Sequence, residues 1–555
     1  MVLEADVADF DIVVVGGGIG GLSCAHAVAS SNPELRVAVL ERLSVLGGQA
    51  RSEPAKMAAP SCGSEYAWRI WSDAYKNLLS LLGEVPLEEG VPARTVVDAF
   101  VGCGPYASFR EGKPHGRLVL ADRRHWASPL TYLRFLWRLA DLFLRCDERL
   151  EAADSPFVEA LGLSDEASLD AAYEIAGPLL GLEATKATTL AVTRGSEATY
   201  GGFLNGGGSA YVTNRPFDEA IFQPWRRFLT GLGVRFFLGD SASEVLVDRE
   251  GVAPRARGVR CSSGLQLRAR AVVLCLGQHH HARLVRDTPG LGQLSPTLAR
   301  SVGLAGAADN YWFSVRLYLG RPSHEPAWTS ATVTDQPWKL VILRVSEVWT
   351  EAQRTTCAWP EVWCVSAIDH VSGWNGKRLR ECSVAEATAE TVRQLVEAGL
   401  VEYEQIGAVE PWEGWATEER PLRNTLNEYK MSINPGIRPR QPPASCPEVQ
   451  GLFVGSVLAR NEIAMVSMEI ASQNGLAAAR AATTFLGVRP SREVLSLPAF
   501  SPRLVHPLRA FDRLLYAWGL SAPPLLLAVV LPLTALVVLL MLLRLALKAV
   551  RRLGR

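Results

Sequence analysis

Near the start of the chain, Gly16-Gly17-Gly18-Ile19-Gly20-Gly21 stands between a β-branched run, Ile12 to Val15, and an Ala-rich stretch from Leu22 to Ala29. No other feature constrains the fold as strongly. A buried strand must end in a tight turn and reverse into a helix. The glycines serve the turn, a close backbone approach to pyrophosphate, and close packing of helix on strand. The helix N-terminus then offers unpaired N–H groups and partial positive charge to phosphate. Asn32-Pro33 ends the helix, Arg36 to Leu40 reads as a second strand, and Glu41 stands at its tip, twenty residues after Gly21. A carboxylate there accepts both ribose hydroxyls and repels a 2′-phosphate. Glycine spacing alone is weak evidence. Strand, helix, second strand and terminal acid in that order predict an α/β chain that opens with a Rossmann-type dinucleotide site.

At 555 residues the chain exceeds one hydrophobic core, so two or more domains are expected. Its 57 basic residues balance 57 acidic ones, and no basic patch interleaved with aromatics stands out, which argues against a nucleic-acid partner. Ten scattered cysteines lack a CxxC or a zinc spacing, so no metal is expected and a reducing compartment is the simpler reading. No basic-then-apolar run marks a secretory signal at the N-terminus. From Leu525 to Leu543 the chain is uncharged, long enough to cross a bilayer core of roughly 30 Å. Arg544, Lys548, Arg551, Arg552 and Arg555 follow as a basic tail. The expectation is a single membrane anchor at 525–543, a tail at 544–555, and a linker at 491–524 whose residues 505–515 suit an interfacial helix. A buried core helix is the alternative for the apolar stretch.

Beyond Glu41 come Arg42, a second glycine pair at Gly47-Gly48, and Arg51. This run resembles the extended fingerprint of the amine oxidase and phytoene desaturase flavoprotein superfamily. Three further blocks support the resemblance. Glu65, Tyr75 and Asn77 match a desaturase segment, with Arg69 where that family carries histidine and Lys76 where it carries proline. Phe217 to Trp225 is similar to the passage into the second half of the cofactor domain. Gly451 to Ser456 followed by Met468-Glu469 resembles the segment that closes the cofactor site, with Ser456 replacing an aspartate and Ile470 a glycine.

The resemblance implies an FAD cofactor. It would be held by Gly16, Gly18, Ile19, Gly20, Gly21, Glu41, Arg42, Gly48 and Arg51 from the first segment, by the backbone of Val245, and by Gly455, Ser456, Met468 and Glu469 from the last. It also implies a discontinuous FAD domain (8–95, 215–300 and 420–490) interrupted by a mixed α+β substrate domain (96–214 and 301–419). Val234 to Phe237 and Ala242 to Val247 read as a strand pair, and Ala271 to Leu276 as a buried strand.

In such proteins the flavin supplies the reactivity and the chain positions the substrate. Tyr429, trailed by Pro435-Gly436, resembles one of the aromatics that face the flavin in amine oxidases and is the one catalytic candidate. A packing tyrosine is the alternative. Consecutive histidines His279-His280-His281 point in different directions and do not chelate together, so a loop is expected there. Asn205 to Ser209 lacks a phosphate-loop lysine and reads as a flexible loop. Asn310 to Tyr318 alternates as a pocket-lining or half-buried strand does. The leading expectation is an FAD-dependent oxidoreductase desaturating a lipophilic, isoprenoid-like substrate at a membrane. An anchored amine oxidase and a non-catalytic escort protein of the same fold remain as alternatives.

Overall fold

The computed structural model describes residues 7–521 and 541, less 54–63, 66–68, 105, 111–112, 116–125, 178–179, 205–209, 251–252, 324–327, 416–420, 462 and 497–501. The β-branched run sits in the strand Val7–Val15, central in a seven-stranded sheet. It pairs in parallel with Val37–Glu41 on one side and Gln266–Leu274 on the other. Arg235–Leu238 adds a parallel edge beside Val37–Glu41, and Leu452–Val454 pairs in parallel with the end of Gln266–Leu274. Ile12, Val13, Val14 and Val15 are all buried, as a parallel strand covered on both faces requires.

The other half of Gln266–Leu274 pairs antiparallel with Arg255–Cys261, which pairs in turn with Ala242–Asp248. Arg235–Leu238 and Ala242–Asp248 therefore do not form the strand pair that their proximity suggests. They end up at opposite extremes of the strand order. Gly239 and Asp240 donate their N–H groups back to Leu43 and Glu41, which turns the chain away from a hairpin.

Two helices pack against each other beside the sheet, Ile19–Ser31 and Met468–Phe485. Glycines set their separation. A Cβ on Gly475 would lie 2.2 Å from the Gly20 carbonyl oxygen, and one on Gly20 would lie 2.4 Å from that of Gly455. Gly20 and Gly455 thus belong to the packing of the layers.

A second seven-stranded sheet takes Ile406–Pro411, Trp312–Leu319, Glu361–Ile368, Val341–Arg344, Ser330–Val333, Tyr106–Arg110 and Lys113–His115 in that spatial order. Trp312–Leu319 is buried at every position, although its alternation suggests one exposed face. It lies between two other strands, and the tryptophan-rich core of the second sheet covers it. Asp309–Asn310 and Lys430–Met431 form a separate antiparallel ribbon.

Among the described residues no helix is long and apolar enough to cross a membrane. The expected anchor at 525–543, apart from Met541, lies outside the described residues, as do the tail at 544–555 and the loop at Asn205 to Ser209. The segment at 505–515 falls within a helix, Pro502–Ala517.

Candidate functional site

A cavity of about 1700 Å³ runs from the glycine loop into the second layer. At its glycine-loop end, Gly16, Gly18, Ile19 and Gly20 form the wall. Gly16 has φ +107°, and a Cβ there would lie 2.4 Å from the Cys275 carbonyl oxygen, so no other residue fits this turn. Gly21 serves the same turn, since its Cβ would meet the Gly16 oxygen at 1.9 Å. Gly18 caps the helix Ile19–Ser31 with no side-chain hydrogen bond to the first N–H groups. The helix thus presents bare donors to the cavity, the arrangement that binds phosphate.

Glu41 lines the same wall. Its Oε2 accepts from the Gly17 N–H at 2.8 Å and its Oε1 from the Leu43 N–H at 3.0 Å. Burial raises its pKa, and those two bonds oppose the rise. Each oxygen keeps a second lone pair for a hydroxyl donor. Across the gap, Gly47 and Gly48 approach Gly18, bridging it in parallel register.

Several expected contacts take other roles. Arg51 does not line the cavity. It is buried, donates to the Glu428 carboxylate at 2.7 Å and the Gly48 carbonyl at 2.9 Å, and lies over the Trp412 ring. Gln49, two residues earlier, reaches the wall instead. Arg42 does line the wall, ion-paired with the same Glu428 carboxylate.

Val245 also sits off the wall, and its N–H donates to the Thr288 hydroxyl at 3.0 Å. Ala242 and Ser243 of the same strand take the wall position. Glu469 caps a different helix: it accepts from the Asn77 and Leu78 N–H groups and the Asn77 amide at 2.7–3.0 Å. Burial pushes its pKa up to about 7.

At the closing end, Ser456, Ser467 and Met468 reach the wall, whereas Gly455 does not. The Ser456 hydroxyl donates to the Leu276 carbonyl at 2.8 Å and accepts from the Leu458 N–H at 3.3 Å. The substituted position ties two loops together with a neutral group. The histidine run begins the helix Gln278–Asp287 rather than forming a loop. Helical spacing sends His279 to Asp309 (2.8 Å), His280 to the Leu426 carbonyl (3.0 Å) and His281 to the Ser301 hydroxyl (2.8 Å). Among the described residues no cluster could hold a metal ion.

Tyr429 does not line the cavity. Its hydroxyl accepts from the Asn424 N–H at 2.9 Å, and its ring packs against His279, Tyr311 and Trp415. The residues on either side, Glu428 and Lys430, line the cavity instead. Side chains along an extended segment alternate in direction, so these two neighbours reach the wall while the Tyr429 ring joins the aromatic cluster.

Lys430 Nζ donates to the Leu180 carbonyl at 2.8 Å and lies 4.4 Å from the Trp312 ring centroid. Burial, then the Arg69 charge, lowers its pKa to about 7. Beyond these groups the wall turns apolar, with Leu136, Leu139, Phe143, Leu144, Ile175 and Met465. The chain thus builds one continuous space, polar and glycine-lined at one end and apolar at the other.

Residues 14–85 match the family described as NAD(P)-binding Rossmann-like domain. No curated protein matches the chain in sequence. Solved structures share its fold over most of its length. Putrescine oxidase bound to putrescine is 14% identical and covers 87% of this chain and 100% of its own, with a TM-score of 0.58. Cyclohexylamine oxidase from Brevibacterium oxydans is 16% identical and covers 86% and 100%, at 0.56. A putative protoporphyrinogen oxidase from Exiguobacterium is 14% identical and covers 86% and 99%, at 0.54.

Proposed function

We propose that the chain is an FAD-dependent oxidoreductase that dehydrogenates a lipophilic, isoprenoid-like substrate taken from a membrane. The observation that carries this reading is the continuous cavity joining the glycine loop to an apolar chamber. The fold, shared with proteins named as oxidases, supports it. The wall also fits the cofactor. Gly18 leaves a position that a side chain would fill, an uncapped helix N-terminus faces it, and Glu41 stands where a ribose would be held. When bound, FAD supplies the two-electron acceptor for a substrate C–H bond.

The chain's own part is to bind, orient and exclude water. Gly16, Gly18, Gly48 and Gln49 hold the dinucleotide end; Ser456, Ser467 and Met468 close it; the apolar wall dries the chamber. The membrane reading draws support from the helix Pro129–Leu144. Leu136, Leu139 and Phe143 face the cavity, while Leu130, Leu133 and Trp137 on the adjoining stripe are exposed to solvent. The helix Pro502–Ala517 packs on it and ends near exposed Trp518 and Leu520, a few residues before the uncharged stretch at 525–543. Such an exposed apolar surface marks an interaction site.

The visible spectrum of the purified full chain tests this reading. Oxidised-flavin bands are expected, with bleaching under anaerobic substrate. A colourless protein that also fails to take up added FAD sinks the oxidoreductase and leaves the escort protein. Hydrogen peroxide release across a panel of amines would favour the anchored amine oxidase.

A further inference from the structure

Where the apolar chamber meets the polar end of the cavity, two cations line the wall, Arg69 and Lys430. Neither side chain arises from the dinucleotide motif. Lys430 is half-buried, and it lines the cavity wall. No carboxylate pairs with it among the described residues. It spends one of its three donors on the Leu180 carbonyl, and the Trp312 ring stacks beneath it. Gly181 makes room for both: a Cβ there would lie 1.5 Å from the Trp312 ring and 2.2 Å from Lys430 Nζ. The Gly181 carbonyl is itself held by the Asn310 amide at 2.6 Å. Arg69 donates to the Gln49 carbonyl, which fixes its guanidinium on the same wall. Of the nearby acids on the wall, Glu428 is paired with Arg42 and Arg51, and Glu174 is buried and accepts from the Ser108 hydroxyl at 3.5 Å.

Burying an ammonium without a counter-ion is costly unless a ligand supplies one. We propose that the chamber receives a long-chain amphiphile whose carboxylate lies between Arg69 and Lys430, with its first carbons against Trp312 and its tail along Leu139, Phe143 and Met465. Two carboxylate oxygens serve two cations, and a monoanion sheds its water into an apolar chamber more cheaply than a dianionic phosphate. The same pair of cations repels an alkylammonium head. This assignment deepens the oxidoreductase reading above and rests on it for the identity of the chamber.

The test is binding of hexadecanoate, hexadecan-1-ol and hexadecylamine to the full chain at pH 6, where Lys430 carries its proton, each probe below its micellar concentration, followed by tryptophan fluorescence and calorimetry. Neither readout depends on electron transfer. The carboxylate is expected to bind at least ~10-fold more tightly than the alcohol, as a charge-assisted contact provides, and the amine more weakly than the alcohol. Lys430→Met and Arg69→Gln are each expected to erase most of the carboxylate's advantage while leaving the alcohol's affinity in place, which also reports that the variant is folded. If a variant fails to fold, the order of the three probes on the wild-type chain decides.

Carboxylate binding equal to or weaker than that of the alcohol overturns the assignment, as does an advantage that survives both substitutions. A colourless protein that still prefers the carboxylate rejects the redox reading. A yellow protein without the preference rejects the head-group assignment alone.

Discussion

Lys430 Nζ lies 4.4 Å from the Trp312 ring centroid and 2.8 Å from the Leu180 carbonyl, on the wall of the cavity and without a paired acid among the described residues. The consequence for stability has a definite sign. Its folded-state pKa is lowered from 10.5 to about 7, so between those values the unfolded chain holds a proton that the folded chain does not. Stability therefore rises with pH across that window. Lys430→Met is expected to stabilise the protein by about 2–4 kcal/mol at pH 6, with the gain fading toward pH 10.5. Urea unfolding of both proteins at several pH values checks this, and a pH-independent difference contradicts it.

The Tyr429 ring packs against His279, Tyr311 and Trp415. Tyr429→Phe removes an acceptor from the Asn424 N–H and is expected to cost about 1–2 kcal/mol. Flavin content and turnover per flavin should be unchanged. A large fall in turnover at intact stability would return the residue to the reaction.

Arg51 and Glu428 form a buried pair. Arg51→Ala leaves the Glu428 carboxylate facing only Arg42 and should destabilise the fold by about 3 kcal/mol. Thermal unfolding of the chain stripped of flavin separates this effect from cofactor binding. A loss confined to FAD affinity would show that Arg51 meets the cofactor directly.

Gly475 lies against Gly20 where the helices Ile19–Ser31 and Met468–Phe485 pack together. Gly475→Ala drives a Cβ to 2.2 Å from the Gly20 oxygen, so the helices must separate at a cost of about 1–3 kcal/mol. Because that separation moves the glycine loop, FAD affinity should fall with stability. Gly487→Ala, at a site with open space around it but φ +71°, serves as a control whose strain is confined to its own backbone. Equal flavin dissociation constants for the two variants would contradict the coupling.

The local chemistry of the first forty residues was legible without coordinates. A β-branched run, a turn that only glycine fits, an Ala-rich helix and a terminal acid each follow from backbone sterics and hydrogen bonding over short range. The positions of Gly16, Gly18 and Glu41 on the cavity wall follow from that local order. Phase and partner choice across long separations were not legible. Arg51 and Gln49 differ by two positions, yet Glu428, 377 residues beyond Arg51, draws the arginine off the wall. Tyr429 and Lys430 differ by one, and the pairing of Lys430 with Asn310 sets which of them faces the cavity. The sequence by itself determined that a glycine turn between a buried strand and a helix would form, and where. The chamber beyond it, walled by Lys430, Arg69 and Trp312, was decided by tertiary structure alone. Side-chain direction there depends on strand register and buried charge pairing, which join residues hundreds of positions apart.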